Sequence, residues 1–394
     1  MASVAGLPTI EEALALVLAH VAPLAAEDVP VGSSSGRVAA EAAVAAVDLP
    51  PFPSSAMDGY AVRAADTPAA LRITGHSAAG SPAAEALEPG AAIEISTGAV
   101  VPDGADAVVP VERTRRDGDT VVVERVSPGE NVRPRAGDIR AGDAVVEAGS
   151  PLGPPQVGAL AAAGVVTVRC GRRPRVAVLA TGSELRPPGE PLGPGQIYES
   201  NSVLLAAQLA GAGAEPVALP SVADDPAALR AALERGLDCD VLITSGGVSV
   251  GPHDLVRAAL AELGAEEVFW RVAVKPGKPI AFATRGATLV FGLPGNPVSS
   301  LVGFELFVRP ALRALQGARD PAPAFLPGRL AAPLLRGPDR DELVRARATD
   351  GLLEPVTGQG SHMIARAAAA NALVLVPRGD GELAAGASVR FIPI

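Results

Sequence analysis

Aromatic residues are scarce in this chain, 3% of 394, with a single tryptophan and two tyrosines. That argues against a nucleic-acid platform on which bases stack. Basic residues are outnumbered, with 33 Lys and Arg against 43 Asp and Glu, a formal net charge of −10. A general polyanion binder is therefore disfavoured, and any anionic ligand must be caught locally by a few Lys, Arg and backbone N–H groups. Cysteine is limited to Cys170 and Cys239. With no CxxC and no histidine at ligand spacing, a thiolate zinc or iron–sulfur site is not expected. Both read as small buried residues in a reducing compartment. The opening MASVAGLPTIEE lacks a basic region followed by an apolar run, so no signal peptide is expected. Long hydrophobic runs are missing as well: stretches such as Val157–Val168 are broken by Gly or too short to span a bilayer. The expectation is a soluble, cytoplasmic protein with neither a nucleic-acid nor a membrane partner.

What is present is core-forming material. Hydrophobic residues make up 48% and charged ones 19%, and the length suits about two to four domains. Thr9-Ile-Glu-Glu12 is a capping box that starts a helix ending near Pro23. DLPPFP at 48–53 is a connector that no helix interior accepts. Between Ala61 and Val123 short β-like runs (Leu71–Thr74, Ile93–Ser96, Ala107–Val111, Thr120–Arg125) alternate with Gly and Pro, which predicts a small β domain. The stretch Arg133–Pro155 reads as loop, and Gln156–Ala163 as a short helix. From Arg175 the texture changes. Apolar strands (Val176–Ala180, Pro216–Pro220, Val241–Thr244, Val268–Val274, Ile280–Thr284, Thr288–Phe291) alternate with helices (Ser202–Ala212, Asp225–Gly236, one ending at Leu263, and Pro297–Gln316). This predicts a parallel α/β sheet covered on both faces, with ligands at the carboxyl ends of its strands. After Asp320 the pattern is β again (Leu343–Ala348, Ala372–Pro377, Ser388–Ile392).

Chemistry concentrates at those strand ends. Thr244-Ser-Gly-Gly-Val-Ser-Val-Gly251 is a Gly-Gly loop between strand and helix, where backbone N–H groups and the hydroxyls of Ser245 and Ser249 suit an oxyanion. A plain tight turn is the competing reading, and no Walker A lysine follows. Glu184, Asp225 and Asp254 supply hard oxygen donors suited to Mg²⁺. For Asp225, ahead of Pro226, helix capping is the stronger reading. Lys275 and Lys278 sit in a turn stiffened by Pro276 and Pro279, poised for an anion. Gly292-Leu-Pro-Gly-Asn-Pro297 is a rigid strand-to-helix turn presenting Pro294 and Asn296. Asp58 reads equally as an Asx-turn residue or as a catalytic or metal-binding carboxylate. Thr97, Arg133, Arg135 and Asp138 read as ordinary loop residues as readily as functional ones.

Taken together, SSAMDGYAV, ISTGAVVPDGADAVVPVE, RAGDIRAGD, LATGSEL, YESNS, ITSGGVSVGPHD, VKPGKPIAF and FGLPGNPVSS resemble the molybdopterin molybdenumtransferase family, which includes the C-terminal domain of gephyrin. The similarity keeps the same order from about Leu7 to Pro393. It implies an α/β plus β multi-domain fold: an elongated N-terminal domain (1–47 and 134–174), a β-rich insertion (48–133), a molybdopterin-binding α/β domain with a parallel or mixed sheet (175–318) and a barrel-like C-terminal β domain (322–394). It also implies a homodimer whose cleft joins the α/β domain of one subunit to the N-terminal β domain of the other. The implied reaction inserts molybdate into adenylylated molybdopterin, with Mg²⁺ and release of AMP, and the adenylyltransferase that makes this substrate is an implied partner. Asp58, Thr97, Asp138, Lys275 and Lys278 match catalytic positions, and Glu184, Asp225 and Asp254 would serve metal binding. Ser245, Gly246, Gly247, Ser249, Pro294, Asn296, Arg345 and Ser361 would bind substrate, with Arg345 neutralising anionic charge beside the lysines. The rivals are the adenylyltransferase step, whose enzymes resemble residues 175–315 alone, and a non-enzymatic scaffold.

Overall fold

The computed structural model describes residues 6–222, 225–247 and 255–394. Ser249 and Asp254, both expected in the site, lie outside the described residues.

The capping box forms as expected. Thr9 Oγ1 accepts the Glu12 N–H at 3.1 Å and the Glu12 carboxylate accepts the Thr9 N–H at 2.8 Å, which starts the helix Ile10–Ala19. Two ladders that the periodicity does not reveal tie the N-terminal region to later chain: Ala26–Pro30 with Thr167–Gly171, and Ala43–Val44 with Ala144–Val146. The expected β region is a six-stranded sheet in the order Ala107–Pro110, Gly59–Val62, Ala91–Ile95, Ala69–Ser77, Thr120–Val123, Thr114–Asp117. Its inner sides bury Tyr60, Leu71, Val109 and Val121 on one face and Ile93, Ile95 and Val108 on the other.

The α/β sheet runs Glu215–Ala218, Arg175–Ala180, Val241–Ser245, Thr288–Leu293, Ala281–Arg285, Glu266–Trp270. Successive residues of each strand go to opposite faces, as a pleat requires. Val176, Val178, Ile243 and Phe291 join one core, while Ala177, Leu179, Leu242 and Val290 join the other. The sheet is mixed rather than wholly parallel. Only Gly286 and Ala287 separate Ala281–Arg285 from Thr288–Leu293, too few for a parallel crossover, so the two form a hairpin with Gly286 at φ 59°.

Two further expectations change. Val268–Val274 is not one strand, because Arg271 at φ 78° ends the first strand at Trp270, and Val274–Lys275 instead pairs with Asp341–Glu342 of the C-terminal sheet. The long helix is Pro297–Gly303 and Arg309–Leu315 with a π-turn, Phe304–Val308, between them. Pro310 has no N–H for an i−4 bond and its ring crowds the preceding turn, which the wider π-turn relieves.

The C-terminal strands close on themselves. Asp341–Thr349 pairs with Leu352–Pro355, then follow Leu326–Leu330, Ser388–Pro393 and Ala372–Val376, which returns to Asp341–Thr349. Closure removes exposed strand edges from this small unit. Leu343, Leu373 and Ile392 of this barrel share a core with Ile10 and Val17 of the first helix and with Phe304 and Phe307 of the long helix. No helix among the described residues is long and apolar enough to cross a membrane. Cys170 and Cys239 are free and buried, and burial pushes both thiols up from their ordinary value.

Candidate functional site

The carboxyl ends of three adjacent parallel strands open into one cavity of about 630 Å³. Thr181 and Glu184 come from the first loop, Ser245, Gly246 and Gly247 from the second, and Pro294, Gly295 and Asn296 from the third. Pro279 brings in the lysine-bearing turn, and His362 and Ile364 arrive from the C-terminal barrel. Gly246 (φ 93°) and Gly247 (φ 67°) adopt backbone that side chains disfavour, and a Cβ on Gly246 would lie 2.7 Å from Thr181 O. The glycines thus permit two strand-end loops to meet.

Several groups expected to hold an anion are already engaged. The Gly246 N–H donates to Leu293 O. At the start of the helix Pro297–Gly303, the Val298 N–H donates to Ser361 O at 3.1 Å, and Asn296 Nδ2 donates to Ser361 Oγ at 2.9 Å. Ser361 therefore clamps the barrel to this helix. Lys275 is paired with Glu342 at 3.0 Å. The Lys278 ammonium, next to the cavity-lining Pro279, has no hydrogen-bond or ion-pair partner among the described residues.

Arg345 differs most from its expected role. It does not line the cavity: the side chain is 0% exposed inside the barrel wall. Nη1 donates to Met363 O at 2.8 Å, and Nη2 donates to Gly358 O at 2.8 Å and Gly360 O at 3.1 Å. Burial pulls this guanidinium below its ordinary value. Arg345 is a positioning residue, and what it positions is the loop carrying Ser361 and His362.

Asp225 has the capping role. Its Oδ1 accepts the N–H groups of Ala227 (2.8 Å) and Ala228 (3.1 Å) at the start of the helix Pro226–Gly236. Asp225→Ala is expected to lower stability in urea melts by ~1 kcal/mol; a metal-ligand role would instead show as lost Mg²⁺ dependence at unchanged stability. Among the described residues no group of three or more His, Cys, Asp or Glu is arranged to hold a metal ion.

The N-terminal candidates form a separate cluster. Asp58 Oδ1 accepts the Thr97 N–H at 2.8 Å, so these two are brought together. Val132–Arg133 pairs with Ser54–Ser55, and the Asp138 N–H donates to Leu49 O at 2.9 Å, which lays the Asp138 loop along the same proline-rich segment. Asp58, Thr97 and Asp138 are exposed, and none of them lines the 630 Å³ cavity of its own chain.

Asn201 was not singled out by composition or periodicity. It is 8% exposed, and its Nδ2 donates to Ser245 Oγ (2.7 Å) and Gly295 O (2.8 Å), tying two of the loops together. Its Oδ1 is buried with no partner. The available signal was its place in YESNS at the opening of a helix after a strand-like run. His362 carried no sequence signal.

Three family models match in order: the MoeA N-terminal region (domain I and II) over residues 8–164, the probable molybdopterin binding domain over 177–314, and the MoeA C-terminal region (domain IV) over 327–394. Molybdopterin molybdenumtransferase 2 of Mycobacterium tuberculosis is 40% identical over 383 residues, 92% of this chain and 93% of that protein. The molybdopterin molybdenumtransferase of Haemophilus influenzae is 34% identical and covers 98% of each chain. A crystal structure of the molybdopterin biosynthesis MoeA protein from Pyrococcus horikoshii OT3 superposes with a TM-score of 0.85, at 30% identity over 98% of this chain and 100% of that one. With the same three regions in the same order and relatives aligned along nearly its whole length, the chain belongs to the molybdopterin molybdenumtransferase family, transferases of molybdenum cofactor biosynthesis.

Proposed function

We propose that the chain inserts molybdate into adenylylated molybdopterin, with Mg²⁺-dependent cleavage of the pyrophosphate linkage and release of AMP. The observation that carries this reading is the character of the 630 Å³ cavity. It combines a buried amide oxygen without a donor, Asn201 Oδ1, with an uncommitted ammonium, Lys278, next in sequence to the lining residue Pro279. An unpaired buried acceptor suits a ligand rich in N–H donors, such as a pterin ring. Lys278 suits the phosphate or molybdate charge that a chain of net charge −10 repels elsewhere. Glu184 offers an exposed carboxylate at the rim, and Glu199 a second whose Oε1 accepts the Ser202 N–H at 2.9 Å. Mg²⁺ is commonly held by one or two carboxylates completed by substrate phosphates and water, so this donor set fits it. Bound there, the ion would neutralise charge developing on the phosphoryl oxygens.

The family match over residues 8–164 favours insertion over adenylylation, which requires the α/β unit alone. A homodimer completes the reading, with Asp58, Thr97 and Asp138 of one subunit facing the cavity of the other. Large apolar side chains left exposed on both sides support it: Val44, Val47 and Val166 in the N-terminal region, and Ile197 and Tyr198 in the cavity lining. The reducing compartment suggested by two unpaired cysteines is consistent with a cytoplasmic setting.

Purified protein given adenylylated molybdopterin, Mg²⁺ and molybdate is expected to release AMP in a molybdate-dependent way and to activate an apo-molybdoenzyme. Release that ignores molybdate, or ATP-dependent adenylylation of free molybdopterin, would overturn the proposal. Within it, Lys278→Ala is expected to lower kcat/KM by about a hundredfold. Lys275→Ala is expected to cost several-fold less, because Glu342 already shares its charge. Equal losses would reject this ranking.

A further inference from the structure

Arg271 is a bulky residue in a backbone conformation that side chains disfavour, φ 78°, one position beyond the edge strand Glu266–Trp270. The ladder to the neighbouring strand pairs Trp270 with Ala281, and its hydrogen bonds run on past both strand ends. The Arg271 N–H donates to Ile280 O and the Val272 N–H to Lys278 O, each at 2.9 Å. Arg271 and Val272 therefore grip both flanks of Pro279, which lines the 630 Å³ cavity. One of the two carbonyls they hold is that of Lys278 itself.

Two guanidinium groups share one ring beside this grip. The Arg271 guanidinium carbon lies 3.8 Å from the centroid of the Trp270 ring, and that of Arg257 lies 4.0 Å from it. Glu267 holds Arg257 in a fork, accepting from Nε at 2.8 Å and from Nη2 at 3.0 Å. The Arg271 guanidinium has no hydrogen-bond or ion-pair partner among the described residues, so its attachment is the ring. Trp270 Nε1 is buried without an acceptor, so no hydrogen bond orients the indole either. The cations and the ring hold one another in place.

We propose that the stack of Glu267, Arg257, Trp270 and Arg271 positions Lys278 for its anion, with Arg271 as the positioning residue. The inference rests on the reading of Lys278 as the cation that meets molybdate or phosphate charge. Attachment to Trp270 keeps Arg271 in its left-handed conformation, and that conformation aims the N–H groups that fix Lys278 and Ile280. A lysine on a turn held beforehand loses less freedom when it closes on an anion. Without the stack the turn loosens, and affinity for the anion falls more than turnover of bound substrate does.

Steady-state AMP release against molybdate concentration, with the full-length protein, tests this. Arg271→Gly removes the guanidinium yet suits φ 78°, so the fold is expected to survive. It is expected to raise KM for molybdate by about tenfold with a smaller change in kcat, and Arg271→Lys to recover most of the loss. Trp270→Leu is expected to repeat the effect of Arg271→Gly. In a Lys278→Ala background Arg271→Gly is expected to add nothing, because the group being positioned is gone. If Lys278→Ala itself has no effect, the reading of Lys278 falls and this inference falls with it. If Lys278→Ala is impaired but folded Arg271→Gly keeps the wild-type KM, or the two losses simply add, the positioning role alone is overturned.

Discussion

Co-expressed Asp58→Ala and Glu184→Ala chains will regain about a quarter of wild-type AMP release, although each variant alone is inactive. In a two-fold dimer with a shared cleft, random pairing makes about half the dimers mixed, and each mixed dimer rebuilds one intact cleft of its two. The expectation rests on the separation of the two clusters. Asp58, oriented by the Thr97 N–H at 2.8 Å, and Glu184, on the rim of the 630 Å³ cavity, do not share a cavity within one chain. Complementation in lysates of co-expressing cells, with tagged chains purified as the mixed dimer, is the measurement. A mixed dimer no more active than its parents would mean that each cleft draws on one chain alone.

Arg345→Lys is expected to destabilise the protein by about 3–5 kcal/mol and to abolish activity, even though the positive charge is kept. The side chain is wholly enclosed, and its guanidinium satisfies the carbonyls of Gly358, Gly360 and Met363 together. A lysine ammonium presents one compact donor group and cannot span those acceptors, so buried carbonyls lose their partners. The loop they belong to delivers Ser361 to Asn296 and His362 to the cavity. Urea denaturation beside an AMP-release assay separates the possibilities. A variant of wild-type stability that loses only molybdate affinity would return Arg345 to direct anion binding.

The two results bear on how such a site can be read. The Gly-Gly loop, the proline-stiffened lysine turn and the Gly292–Pro297 turn are local devices, in which backbone conformation follows from residues a few positions apart. They announce themselves in sequence, as do the capping box at Thr9 and the apolar run Val176–Ala180. The hairpin at Gly286 departs from the expected parallel arrangement, because two residues cannot make a crossover. The π-turn was less legible, because a proline inside an apolar helical pattern predicts strain without saying how the helix absorbs it.

Partnership across the chain is another matter. Nothing near Arg345 in sequence tells whether its guanidinium meets solvent, molybdate or the carbonyls of Gly358–Met363, and the fold chose the carbonyls. Nor does local pattern reveal that Ser361 would occupy the Val298 N–H, or that Glu342 would claim Lys275 and leave the Lys278 ammonium unpaired. Backbone preferences and burial patterns are set within a turn or a strand, so residue order determined most of the helices, the apolar strands and the strand-end loops, while the Ala26–Pro30 and Ala144–Val146 ladders and the break in Val268–Val274 came from packing. Hydrogen bonds and charge pairs between segments 13 to 94 residues apart depend on how those elements pack, and only the tertiary structure decided which donors and cations remain free to meet a ligand.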